Sequence, residues 1–164
     1  MSSKFLFLVA VILVVSVNAF SQTSSNGEIN SKYADVLQKW LATRPALRLA
    51  TEEDYAKKSL DFVRQSEGTS FVPFYLAKDF NGDEKEDFAV ILTTAKGRKA
   101  FAVAVFNAPF GKQKRQPAFF TMAVERDDVL YFNPNTKRLL VGPYASDAGF
   151  ALKPKGLTYK AERF

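Results

Sequence analysis

Residues 88–106 run Phe88-Ala89-Val90-Ile91-Leu92-Thr93-Thr94, then Ala95-Lys96-Gly97-Arg98, then Lys99-Ala100-Phe101-Ala102-Val103-Ala104-Val105-Phe106. Two apolar runs of strand length flank a short turn that holds a glycine. A short connection predicts antiparallel pairing, because parallel neighbours need a crossover of about a dozen residues or more. This hairpin decides the class: the chain builds a sheet, and the sheet is antiparallel.

The pattern continues on both sides. Phe71 to Ala77 is a strand whose Pro73 predicts an edge position or a bulge. Asn107-Ala108-Pro109 and the basic stretch after it make a longer loop, and Pro117 to Val124 is the next strand. Asp127-Asp128 is a turn. Val129 to Phe132 and Arg138 to Val141 flank the turn former Asn133-Pro134-Asn135-Thr136. Two last strands, near Phe150 to Lys153 and Leu157 to Ala161, are parted by Pro154-Lys155-Gly156.

Before Gly68 the periodicity is helical. Tyr33, Val36, Leu37, Trp40 and Leu41 form one apolar stripe over Ser31 to Thr43, and Pro45 ends it. Trp40 sits on that stripe as a core anchor. A second helix is predicted from Thr51, where Glu52, Glu53 and Asp54 face the positive end of the helix dipole, to Glu67-Gly68. Leu60 and Val63 share one face of it. The expected fold is α+β: two N-terminal helices packed on one face of a curved antiparallel sheet, in a single domain over residues 30–164.

The start of the chain has another purpose. Lys4 precedes an apolar run from Phe5 to Val17, and small residues offer cleavage after Ala19 or Ser21. This is the pattern of a secretory signal peptide, residues 1–21. The run is shorter than the roughly 20 residues of a spanning helix. Residues 22–29 are polar and small, a flexible mature N-terminus. The expected location is the periplasm or the cell exterior, with no membrane span after cleavage.

Cleavage leaves about 143 residues, one domain by length. The leader takes one Lys with it, so the formal net charge falls from +6 to +5. Acidic and basic residues are interspersed except for Lys112-Gln113-Lys114-Arg115. Nucleic-acid binders concentrate their charge on one face, and no nucleic acid is expected here. That basic run, next to Phe110, Phe119 and Phe120, is expected to be a solvated loop beside core aromatics. Cysteine and histidine are both absent. The two zeros exclude a Cys/His zinc site, a Ser-His-Asp triad, a Cys-His dyad and an imidazole base. No glycine-rich phosphate loop or dinucleotide fingerprint is present.

One loop carries specific chemistry: Asp79-Phe80-Asn81-Gly82-Asp83-Glu84-Lys85-Glu86-Asp87. Side-chain oxygens recur at positions 1, 3, 5 and 9, from Asp79, Asn81, Asp83 and Asp87, and Lys85 at position 7 offers a backbone carbonyl. Calcium takes six to eight hard oxygens at about 2.3–2.6 Å, and a wrapped loop with alternate spacing can supply them. It is not an EF-hand, because Val90 stands at position 12 and a strand follows.

The segment resembles the loop of FG-GAP and VCBS-type repeats, D-x-D/N-x-D-G-x-x-D between two strands. That resemblance implies that Asp79, Asn81, Asp83 and Asp87 are calcium ligands. Phe80 and Gly82 fit as well. Glu84 stands where that family has a glycine, at a place where a left-handed turn costs a residue with a Cβ roughly 1–2 kcal/mol. The family repeats its motif around a propeller, whereas the match here covers one copy of nine residues. The other reading of the loop is a solvated turn, since Asp, Asn and Gly bond their own backbone.

Two functions are consistent with these residues. The first is an exported, non-enzymatic binding domain with a calcium loop, acting on an unknown protein or surface polymer. The second is an exported, glycosidase-like hydrolase using carboxylates such as Asp127, Asp128 and Asp147, with or without calcium. Turn positions favour the first for those acids.

Overall fold

The computed structural model describes residues 29–97, 99–111 and 116–164. The expected signal peptide, most of the expected flexible N-terminus and the run Lys112 to Arg115 lie outside the described residues.

Helix α1 spans Ser31–Leu41. Asn30 caps it, its side chain accepting the Lys32 N–H at 3.0 Å. The predicted stripe is the buried face: Tyr33, Val36, Leu37 and Trp40 are all in the core. A three-residue strand, β1 (Leu47–Leu49), comes next. The second helix is shorter than expected. Glu52–Asp54 make one 3₁₀ turn, Tyr55 is extended, and α2 starts only at Lys57 and runs to Glu67.

The strands are β2 (Tyr75–Lys78), β3 (Asp87–Thr94), β4 (Phe101–Phe106), β5 (Phe119–Val124), β6 (Asp128–Asn133), β7 (Arg138–Pro143), β8 (Phe150–Lys155) and β9 (Thr158–Arg163). The expectation of one sheet is corrected, because the strands divide into two antiparallel sheets. The first has the order β1-β3-β4-β5, with β2 also paired to β3, and the second is β6-β7-β8-β9. The predicted hairpin is the centre of the first sheet, with Phe88 opposite Phe106 and Ile91 opposite Val103. Every residue of β4 is buried, and all of β3 except Thr94. Continuous apolar runs are what a strand covered on both faces requires.

Alternation assigns the faces. Phe88, Phe106 and Phe120 share one face by register. Against it lies α1, with Trp40 edge-on to Phe106 at 5.5 Å and Tyr33 at 5.0 Å from Phe88. The opposite face meets the second sheet: Phe119 lies 6.3 Å from Phe150, and Asp87 reaches Tyr159 on β9. One buried apolar cluster takes in α1, α2 and both sheets. Among the described residues no helix is long and apolar enough to cross a membrane.

The second sheet contains one close backbone contact. Gly142 at the end of β7 and Gly149 before β8 pack back to back, and a Cβ on either would stand 2.5 Å from a carbonyl oxygen. Only glycine permits that approach.

Candidate metal loop

Asp79 to Asp87 joins β2 to β3 across the tip of a hairpin in which Lys78 pairs with Asp87. Asp79 is the organiser. Its Oδ1 accepts the N–H groups of Gly82 at 2.7 Å and of Asn81 and Asp83 at 3.2 Å, and its Oδ2 accepts that of Glu84 at 2.9 Å. Partial burial works to raise its pKa, but these four donations outweigh that and hold it below the ordinary value. The pattern repeats in miniature. Asn81 Oδ1 accepts from Asp83 N at 2.9 Å, and Asp83 Oδ1 from Lys85 N at 3.0 Å. Glu84 takes the left-handed conformation, φ 64°, despite its Cβ. The turn that the resembling family makes with glycine is therefore made here with glutamate.

Asp87 differs from the others. It is fully buried under the loop and faces the second sheet. Its Oδ1 accepts the Ala108 N–H at 2.8 Å and its Oδ2 the Phe80 N–H at 3.2 Å. The Tyr159 hydroxyl has one proton and two acceptors in reach, Asn107 Oδ1 at 2.8 Å and Asp87 Oδ2 at 3.3 Å, and it donates to the nearer. Desolvation raises the Asp87 pKa, against the pull of its two N–H donors. Among the described residues no Lys or Arg forms an ion pair with it. Burial raises the Tyr159 hydroxyl too, and the charges of Asp87, Asp79 and Asp83 add to that rise. Three carboxylates thus bear on one hydroxyl.

The donor types suit calcium: three carboxylates and an amide on one turn, with one weak cationic contact from Lys85 Nζ to Asp83 at 3.6 Å. Asn81 and Asp83 each keep acceptor capacity beyond the one N–H bond they hold. Among the described residues, however, no three acidic side chains are already gathered as a metal cluster. The spacing located the loop oxygens. It carried no signal for Asn107, Ala108 or Tyr159, which lie far along the chain.

The remaining acids are occupied elsewhere. Asp54 is buried, bound by Arg48 through both oxygens at 2.7 Å and by Lys99 at 2.6 Å, and it accepts the Thr51 N–H. The Arg48 bonds, helped by Lys99 and Thr51, hold its pKa far below the ordinary value against desolvation. Asp127 accepts the Ala56 N–H at 3.0 Å and so caps α2. Asp128 is 5% exposed and accepts the Glu125 N–H at 2.9 Å. Asp147 is exposed in a loop. A hollow of about 530 Å³ beside α2 is lined by Lys57, Lys58, Asp61, Phe62 and Gln65, and it offers one carboxylate where acid–base hydrolysis needs two.

Asp128 supports a prediction of its own. Among the described residues its Oδ1 has no partner, and neither does the buried Tyr55 hydroxyl. Desolvation raises the pKa of both, and the Asp128 charge adds to the rise at Tyr55. A raised carboxylate favours the fold while protonated and costs stability as pH climbs through its folded pKa. Asp128→Asn keeps an oxygen for Glu125 and removes the charge. It is expected to stabilise the protein at pH 7–8 by about 1 kcal/mol, a gain of about 3 °C in Tm. The gain should vanish towards pH ~4, the ordinary Asp value. Melts of both proteins across pH check it, and a variant less stable than wild type at pH 8 contradicts it.

The aromatic neighbours of the basic run separate. Trp40 is fully buried, Phe110 and Phe119 are half-buried, and Phe120 is exposed despite touching Trp40 at 5.6 Å. Comparison of the chain with protein-family models, curated proteins and solved structures finds no match in any of the three.

Proposed function

We propose that this chain is an exported, non-enzymatic domain that binds a protein or surface polymer, and that its Asp79–Asp87 loop closes around calcium. The observation that carries the metal reading is Asp87: a fully buried carboxylate, with no cationic partner among the described residues, lies beneath a turn bearing three more oxygen side chains. Buried charges are paired or bound to a metal. Asp79, Asn81, Asp83 and Asp87 would hold the ion, with the Lys85 carbonyl. The ion would neutralise Asp87 and fix the β2–β3 tip against the second sheet. The carboxylate hydrolase is the weaker reading, because Asp127 and Asp128 are engaged by backbone N–H groups and Asp147 is an isolated loop acid.

Thermal melts of the exported chain, as processed by the expressing cell, test the metal. At 10 mM calcium and a dissociation constant of ~10⁻⁴–10⁻³ M, wild type should gain about 1.4–2.7 kcal/mol over the same protein in EDTA. Asp83→Ala removes a ligand that otherwise holds one local N–H, so it should fold and gain nothing. Equal melting of wild type in calcium and EDTA would refute the metal reading.

A further inference from the structure

The second sheet turns its two faces to different surroundings. Tyr159 points to the first sheet, where its hydroxyl lies by Asp87, and Leu152 is fully buried. By alternation Lys153 and Lys160, the next residues along, point the other way, and their side chains are 54% and 67% exposed. The strand register gathers charge on that outer face. Lys153 and Lys160 stand directly opposite each other on β8 and β9. Arg138 on β7 is one step beyond the Leu139–Leu152 pair, which sets it beside Lys153. Lys155, exposed and two residues along β8, shares the face. One carboxylate answers them: Glu162 lies 3.5 Å from Arg138, 3.7 Å from Lys160 and 3.9 Å from Lys153. Among the described residues none of these four cations is paired with any other acid. Like charges opposite each other on neighbouring strands destabilise a sheet. An anion laid across the strands removes that cost.

We propose that this face binds an acidic polysaccharide, a chain of uronate sugars, with Arg138, Lys153, Lys155 and Lys160 taking its carboxylates and Glu162 accepting its hydroxyl protons. The inference rests on the binding-domain reading, whose polymer it names, and it is independent of the metal reading. Three features of the face select this class of ligand. The excess of positive charge selects an anion. Neighbouring strands lie about 4.8 Å apart, so the cations of β7, β8 and β9 recur across the sheet at about the length of one sugar ring, and each uronate ring carries one carboxylate. The acid at the centre separates a sugar chain from a nucleic acid. Glu162 repels a row of phosphates, but its oxygens accept hydroxyl protons from a sugar. Surfaces that bind single-stranded nucleic acid also set aromatic rings among their cations for base stacking. Here Tyr159 is turned inward, and no ring stands among the four cations.

Isothermal titration calorimetry of the protein, as processed by the expressing cell, with a short oligogalacturonate is the test. EDTA in the buffer keeps calcium out of the result. The expected outcome is saturable binding that weakens as salt rises. The double variant Lys153→Gln, Lys160→Gln should bind about tenfold more weakly or worse. Both side chains are exposed, so it should fold, and circular dichroism checks this. Lys57→Gln with Lys58→Gln makes the same change in net charge on α2, and it should bind within about twofold of wild type. Full affinity in the Lys153, Lys160 variant overturns the proposal, and so does equal loss in both variants. Tighter binding of a single-stranded DNA oligomer than of the oligogalacturonate overturns it too. Each of these leaves the binding-domain reading standing, because a polymer is still bound. No binding at all overturns the proposal and leaves that reading its protein partner. Cleavage of the oligomer, read by chromatography, overturns the non-enzymatic reading and the proposal with it.

Discussion

Asp87→Ala is expected to destabilise the protein by about 3 kcal/mol in EDTA, read as a fall in the urea midpoint. The carboxylate is fully buried and holds the N–H groups of Phe80 and Ala108, one in the loop and one between β4 and β5. Alanine leaves both donors without an acceptor, and each orphan costs about 1–3 kcal/mol. Removing an anion without a cationic partner returns part of that cost. Asp87→Asn keeps one acceptor oxygen and should lose about half as much. A loss below about 1 kcal/mol for alanine would show that the carboxylate does not hold these segments together.

The second large effect belongs to α1. Trp40 is fully buried against Phe106 and Phe120, and the Arg44 guanidinium lies 4.4 Å from its ring centre. Trp40→Ala opens a cavity between the helix and the first sheet and should cost about 3–5 kcal/mol. Among the described residues, however, the indole N–H has no acceptor. Phenylalanine keeps a ring on the stripe and discards that unmet donor, so Trp40→Phe should cost about 1 kcal/mol or less. Equal losses for the two variants would mean that ring packing is not what Trp40 contributes.

The parts of the fold that were legible are those whose cause is local. The hairpin of β3 and β4 shows as two apolar runs around a turn, and α1 as a stripe with a proline beyond it. What escaped depends on partners far along the chain. The second helix looks continuous from Thr51, yet Asp54 turns away to Arg48 and Lys99, and Asp127 caps α2 at Ala56 from 71 residues away. Strand β1 is three half-buried residues with no alternation to reveal it. The division into two sheets occurs at Glu125 to Asp128, which looks like an ordinary hairpin turn. There Asp128 holds the Glu125 N–H, and the chain passes to the second sheet.

The candidate site divides the same way. Spacing identified the oxygens of Asp79, Asn81, Asp83 and Asp87, because an oxygen-rich turn is a local pattern. The separate role of Asp87, buried and facing Tyr159 from 72 residues away, arises only when the two sheets pack.

Equilibrium dialysis of the protein, as processed by the expressing cell, against radioactive calcium at neutral pH decides whether the loop is a metal site. Saturable binding of about one ion per chain at ~10⁻⁴–10⁻³ M, lost in Asp83→Ala, is the expected result. No saturable uptake below about 10 mM, well above that range, would contradict it and leave the loop as a turn held by its own backbone.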